Sequence, residues 1–167
     1  THDEFGQPWD FTKKSMRQKA KKRLDEQNPE LLVGSPMCTA NSPWQRINRV
    51  RSPEAYKRKI KESRRHLEFV CELYEMQLKK GKLFLHEHPA QASSWEEACI
   101  RRVLRIPGVR AVTMDQCQLG QRDAEGNPIR KPTRWMTNSD DIVEHLDKRC
   151  AGRAGICSAT GTPHALC

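Results

Sequence analysis

Residues 52 to 81 carry the feature that most restricts the fold. Ser52-Pro53 reads as a helix start, a cap residue followed by proline at the first helical position. Tyr56, Ile60, Leu67, Val70, Cys71, Tyr74 and Leu78 then form one apolar stripe, and Gly81 stands where a helix closes. At about 1.5 Å per residue the helix runs about 40 Å. Two short apolar runs flank it, "ELLVGSP" before and "KLFLHEHP" after. A strand, a long helix and a second strand make a crossover unit, which places the two strands parallel with right-handed connectivity.

The rest of the chain extends this unit. Met16, Ala20 and Leu24 give residues 13–27 a narrow apolar stripe, with Thr12 or Asp10 as cap and Asn28-Pro29 as stop. Ser94 with Glu97 forms a capping-box pattern ahead of Ala98, Ile100, Val103 and Leu104, a helix that ends near Pro107-Gly108. "VRAVTMDQC" and "TRWMTN" read as third and fourth strands joined by a polar turn around Glu125-Gly126-Asn127. Ser139 caps a last short helix through Ile142, Val143 and Leu146. The expected fold is α/β, a Rossmann-like half-sheet of about four strands. It is mostly parallel with the last strand antiparallel, and has helices on both faces. Residues 1–28 are an N-terminal basic helical segment, 29–148 the α/β domain, and 149–167 a Cys/His-containing loop-like tail.

Lys and Arg outnumber Asp and Glu by 30 to 21 in 167 residues, a net charge of +9. That balance favours a polyanionic partner, nucleic acid first. Seven cysteines are an odd count, and Cys38, Cys71, Cys99 and Cys117 lie in or beside predicted elements. They read as small buried thiols of a reducing compartment and not as a disulfide scaffold. No apolar run approaches the length of a membrane span and no signal peptide opens the chain, so the expectation is an intracellular protein, nuclear or cytoplasmic, with no membrane partner. Its first residue is Thr, which suggests a piece of a longer polypeptide.

In a parallel sheet, ligands sit beyond the carboxyl ends of the strands. Three such ends carry polar groups: Ser35-Pro36-Met37-Cys38, His86-Glu87-His88-Pro89 and Asp115-Gln116-Cys117-Gln118. With neighbouring strands about 4.8 Å apart, Cys38 and Glu87 come to face one cleft. A thiolate there attacks an electron-poor carbon, and an acid hydrogen-bonds a ring nitrogen so that the ring accepts electrons.

These residues resemble the cytosine-C5 DNA methyltransferases. The family's nucleophile motif, roughly Gly-Gly-Pro-Pro-Cys-Gln-Gly-Phe-Ser after a buried strand, is matched in part by Gly34-Ser35-Pro36-Met37-Cys38-Thr39-Ala40-Asn41-Ser42. A later strand ending Glu-Asn-Val is matched at Glu87, with His88 and Pro89 in the other two places. Phage-type members carry stretches similar to "DQCQLG" and "KPTRWMTNS", so the resemblance spans about residues 29–140. It implies that Cys38 attacks C6 of a flipped-out cytosine, that Glu87 holds N3 and the exocyclic amine, and that S-adenosylmethionine supplies the methyl group. It implies a cofactor side at Pro36 and Asp10, and a nucleic-acid partner, DNA rather than RNA. Arg46, Arg49 and Arg51 in the loop after Cys38, with Arg122, Arg130 and Lys131 further on, are the expected nucleic-acid contacts. The family's Phe-x-Gly-x-Gly cofactor turn has no counterpart upstream of Cys38, so an incomplete or inactive enzyme is expected. The chain also looks like reading frames linked to retroelements. That similarity favours the alternative of a non-catalytic nucleic-acid-binding module from a mobile element.

Other readings stand beside these. Cys38 as a plain buried thiol and Glu87 as a salt-bridged surface group are the simplest. A cysteine hydrolase would pair Cys38 with His86 or His88. A metal on His86, Glu87 and His88 is disfavoured, because alternate strand side chains point to opposite faces. Trp44 could stack on bases, whereas Trp95 and Trp135 sit on elements that favour core packing. In the tail, Cys150, Cys157, His164 and Cys167 are spaced C-x6-C-x6-H-x2-C, three thiols and one imidazole, a donor set that suits zinc. The alternative there is an unstructured end.

Overall fold

A computed structural model describes Gly6 and residues 8–41 and 50–165. Among the described residues the main elements follow in chain order: α1 (Lys14–Gln27), β1 (Leu31–Gly34), α2 (Pro53–Lys79), β2 (Leu83–Pro89), α3 (Ala98–Leu104), β3 (Arg110–Asp115), β4 (Pro132–Thr137) and α4 (Asp140–Leu146). The sheet order is β1-β2-β4-β3. β1 pairs parallel with β2, and β4 pairs antiparallel with both β2 and β3. Three strands therefore point one way, and β4 enters between β2 and β3 against them. The protein is an α/β half-sheet with flanking helices, as the alternation of apolar runs and helical stripes requires.

Burial along β2 alternates, with Phe84, His86 and His88 inside and Leu83, Leu85, Glu87 and Pro89 half-covered. The inner face meets α2 and α3 in one core of Leu67, Val70, Cys71, Tyr74, Phe84, Trp95, Ile100, Val103 and Met136. Cys71 and Cys99 are small buried residues of that core, as their positions suggested. On the opposite side of β1, Val33 stays 60% exposed.

Local signals held in part. Asn28 closes α1 in the left-handed conformation (φ 43°), and Gly81 follows α2 at φ 67°. Ser139 caps α4 by accepting from the Ile142 N–H at 3.3 Å. The capping-box expectation fails. Ser94 lies buried in a 3-10 turn with its hydroxyl on His88, and Glu97 instead accepts both bonds from Arg64 Nε at 3.0 Å. Likewise Asp10 accepts from Thr12 and does not cap α1, whose N-cap residue is Lys13.

Candidate functional site

The parallel pairing of β1 with β2 sets Gly34 beside His86. The Ser35–Cys38 turn therefore leaves the sheet at the rim where β2 carries Glu87. The Ser35 hydroxyl donates to Glu87 Oε2 at 2.5 Å, tying the acid to the turn that carries the thiol. Cys38 is a half-buried free thiol and Glu87 is half-buried. Neither falls into the apolar interior.

Two imidazoles lie under this turn. His88 Nε2–H donates to the Pro36 carbonyl at 2.7 Å, and the Ser94 hydroxyl donates to Nδ1 at 2.5 Å. The Tyr74 hydroxyl donates to His86 Nδ1 at 2.9 Å, and its oxygen lies 3.4 Å from the Gly34 carbonyl. His86 Nε2 is buried without a partner among the described residues. Burial holds the His86 pKa down at about 3 and lowers that of His88. Both rings are neutral scaffolding for the backbone from Gly34 to Pro36. The cysteine-hydrolase pairing is thereby excluded: His88 has spent both nitrogens, and neither nitrogen of His86 reaches sulfur. The expected opposition of Glu87 to the two histidines is what the strand displays, so no metal triad forms there.

A cavity of about 490 Å³ opens next to the turn. Trp9, Phe11, Met37, Thr39, Ala40 and His66 are among the residues that line it. Asp10 reaches its wall, but its carboxylate is engaged by the Thr12 N–H and hydroxyl, which lower its pKa. Pro36 is buried with its carbonyl taken by His88. These two residues do not make a built site for S-adenosylmethionine.

The expected nucleic-acid arginines are dispersed. Arg46 and Arg49, with Trp44, lie outside the described residues. Arg51 is exposed. Arg122 Nη1 donates to the Gly126 carbonyl at 2.8 Å within the polar turn. Arg130 donates to the Cys150 carbonyl at 3.3 Å and lies 3.9 Å from Asp115, while Lys131 is exposed.

At the carboxyl end of β3 a second site assembles. The ligand atoms of Cys117, Cys150, Cys157 and His164 all lie within 4.8 Å of one another. The tail folds back to build it. Asp115 N–H donates to the Lys148 carbonyl at 3.1 Å, and Asp115 Oδ2 accepts from the Cys150 N–H at 2.9 Å and from Arg149 Nε at 3.1 Å. Cys157 N–H donates to Thr162 O, and Gly161 N–H donates back to Cys157 O, both at 2.8 Å. His164 Nδ1–H donates to the Gly155 carbonyl at 2.9 Å, which turns Nε2 toward Cys150 Sγ, 3.5 Å away. A carbonyl on the remote nitrogen is the arrangement that orients a metal-binding imidazole.

The environment favours thiolate at Cys150 and Cys157, whereas burial raises the Cys117 pKa to about 11. Burial alone would raise the Cys150 pKa, but hydrogen bonds from the Ser158 hydroxyl and N–H outweigh it and bring it to about 6. Three of the four residues expected in this cluster are present. Cys167 lies outside the described residues, and the fourth donor in place is Cys117, which its sequence position had suggested was a plain buried thiol. Spacing could not find it, since 33 residues separate Cys117 from Cys150. The usable signal was a three-donor tail and a cysteine at a strand's carboxyl end.

Comparison with protein-family models, curated proteins and solved structures finds no match to this chain.

Proposed function

We propose that the protein is a cytosine-C5 methyltransferase-like domain that engages a base of a nucleic acid through Cys38 and Glu87. The observation that carries this reading is the Ser35–Glu87 hydrogen bond at 2.5 Å, which joins the acid strand to the thiol turn at one rim. In this reading the Cys38 thiolate forms a bond to C6, and the C5–C6 π electrons move toward C5 while the Glu87 acid hydrogen-bonds N3. C5 then takes a proton from water. Loss of the original C5 proton, followed by departure of sulfur, restores the ring with its C5 hydrogen exchanged. A methyl donor would replace that water proton with a methyl group. No step here passes through S-adenosylmethionine, because Pro36 and Asp10 do not form its site.

The test is release of tritium from 5-tritiated cytosine in DNA to water, without cofactor. Release is expected from the unaltered chain, absent in Cys38→Ser and at least ~10-fold slower in Glu87→Gln. Release that persists in Cys38→Ser, or none from a DNA-bound unaltered chain, overturns the reading.

We further propose zinc as the occupant of the Cys117, Cys150, Cys157 and His164 cluster. Three sulfurs and one imidazole fill a tetrahedral sphere and leave no open position, so its chemistry is structural. It would staple the tail to the end of β3.

A further inference from the structure

Helix α2 is longer than the sheet it covers. Its C-terminal end lies at the start of the strands, where Gln77 Nε2 donates to the Pro29 and Leu83 carbonyls at 3.1 Å. Leu67, Val70, Cys71 and Tyr74 are buried in the core against the sheet. Its first half, Pro53 to Arg65, has no buried residue. At about 1.5 Å per residue this half overhangs by about 20 Å. It does so past the carboxyl rim, since His66 and Arg65 share the cavity with Met37 and Thr39.

The overhang is strongly basic. From Arg51 to His66 there are seven Lys and Arg against two Glu, more than half of the molecule's net charge of +9. Lys57, Arg58, Lys61, Arg64 and Arg65 follow i, i+1, i+4, i+7, i+8 spacing and so share one helical face. All five are exposed. Lys57 is paired with Glu54 at 2.9 Å and Arg64 with Glu97 at 3.0 Å. Among the described residues no ion pair engages Arg58, Lys61 or Arg65. The only large apolar side chains on this half are Tyr56 and Ile60, both half-buried. That is too little apolar surface to enter a lipid interface, which needs a broad face of large apolar groups.

We propose that this overhanging half of α2 is a phosphate-tracking arm that holds duplex nucleic acid along the rim bearing Cys38 and Glu87. The inference deepens the base-binding reading and rests on it for what the held duplex presents to the rim. A duplex carries one negative charge per about 1.7 Å of axis, so a straight 20 Å cationic ridge is charge-complementary to it along its length. Arg64 serves a second purpose. Its bond to Glu97 braces the ridge against the start of α3.

The test is equilibrium binding of the full chain to a fluorescent 20-base-pair DNA duplex across a salt series. The triple reversal Arg58→Glu, Lys61→Glu, Arg65→Glu changes exposed groups only, and circular dichroism checks that it folds. A charge-matched control reverses Lys79, Arg105 and Lys148, which are exposed elsewhere. At low salt the ridge variant is expected to bind more than ~10-fold more weakly, with its log–log salt slope reduced by about 3. The control keeps most of the slope. Equal losses in both variants would mean net charge alone and overturn the proposal, as would an unchanged slope in a folded ridge variant. Tight binding to phosphatidylserine vesicles with none to the duplex would also overturn it. The two tests separate: duplex binding by the unaltered chain without tritium release would sink the base chemistry and leave the arm standing, whereas tritium release with undiminished duplex binding in the ridge variant would sink the arm alone.

Discussion

Gly34 ends β1 directly against the ring of Tyr74, so that a Cβ at this position would overlap the phenol oxygen. The close approach is what lets Tyr74 reach both His86 and the Gly34 carbonyl. Gly34→Ala is expected to destabilise the fold by ~1–3 kcal/mol through overpacking. Tyr74→Phe removes the clashing oxygen, so urea denaturation of the double variant should show less than the sum of the two losses. Strict additivity would mean the contact is not the cause. The imidazoles beneath the turn impose a pH dependence. The His86 pKa is about 3 in the folded protein against 6.5 for an ordinary imidazole, and that of His88 is also lowered, in both cases mainly by burial. Between those values the unfolded chain binds protons that the folded one does not. Their contribution to stability is therefore level above about pH 6.5 and falls below it, by up to about 1.4 kcal/mol per pH unit for each such group. Denaturation in excess chelator at pH 7.5, 6 and 5 measures this slope, and a flat profile would contradict neutral burial. That His86 and His88 share a face opposite Glu87 was readable from the alternation in "FLHEHP". Which carbonyl each ring would hold was not, because Pro36 is 52 residues from His88.

Among the elements, β3 carries the decisive connection. Asp115 is fully buried at its end, with one carboxylate oxygen shared by the Cys150 N–H and Arg149 and the other without a partner among the described residues. It positions Cys150 without being a ligand. Asp115→Asn should weaken metal binding by ~10–100-fold, as loss of an orienting group behind a ligand does. Competition with a chromophoric chelator reads the change, and an unaltered affinity would remove Asp115 from this role. The elements themselves were largely legible. Pro53, Gly81 and the stripe between them marked α2, and apolar runs marked all four strands. The capping box at Ser94 misled because a buried imidazole, invisible to local pattern, competes for the same hydroxyl. The apolar run "LFL" did not say which of its side chains face the core: period-2 alternation buries Phe84 and leaves Leu83 and Leu85 half-covered on the other face of β2.

At the scale of the molecule, a small core on one face of the sheet is joined by a tail that folds back onto the end of β3. The tail has few apolar groups, so if the proposed zinc fills the Cys/His cluster the tail's order is expected to depend on it. Chelation of bound zinc should lower the melting temperature and expose residues 149–165 to proteolysis, while cutting within α2 should stay slow. Cys117→Ala should reproduce the effect without chelator. Resistance of the tail in both cases would mean that its hydrogen bonds suffice. Among the described residues, no helix is long and apolar enough to cross a membrane. The amino-acid order by itself determined the crossover unit, the strand count, the basic balance and the placement of Cys38 and Glu87 at strand ends, because periodicity and turn chemistry act over a few residues. Only the tertiary structure decided that β4 enters between β2 and β3, that Cys117 joins Cys150, Cys157 and His164, and that half of α2 stands clear of the sheet. These depend on which distant segments meet, and that is set by core packing and not by local spacing.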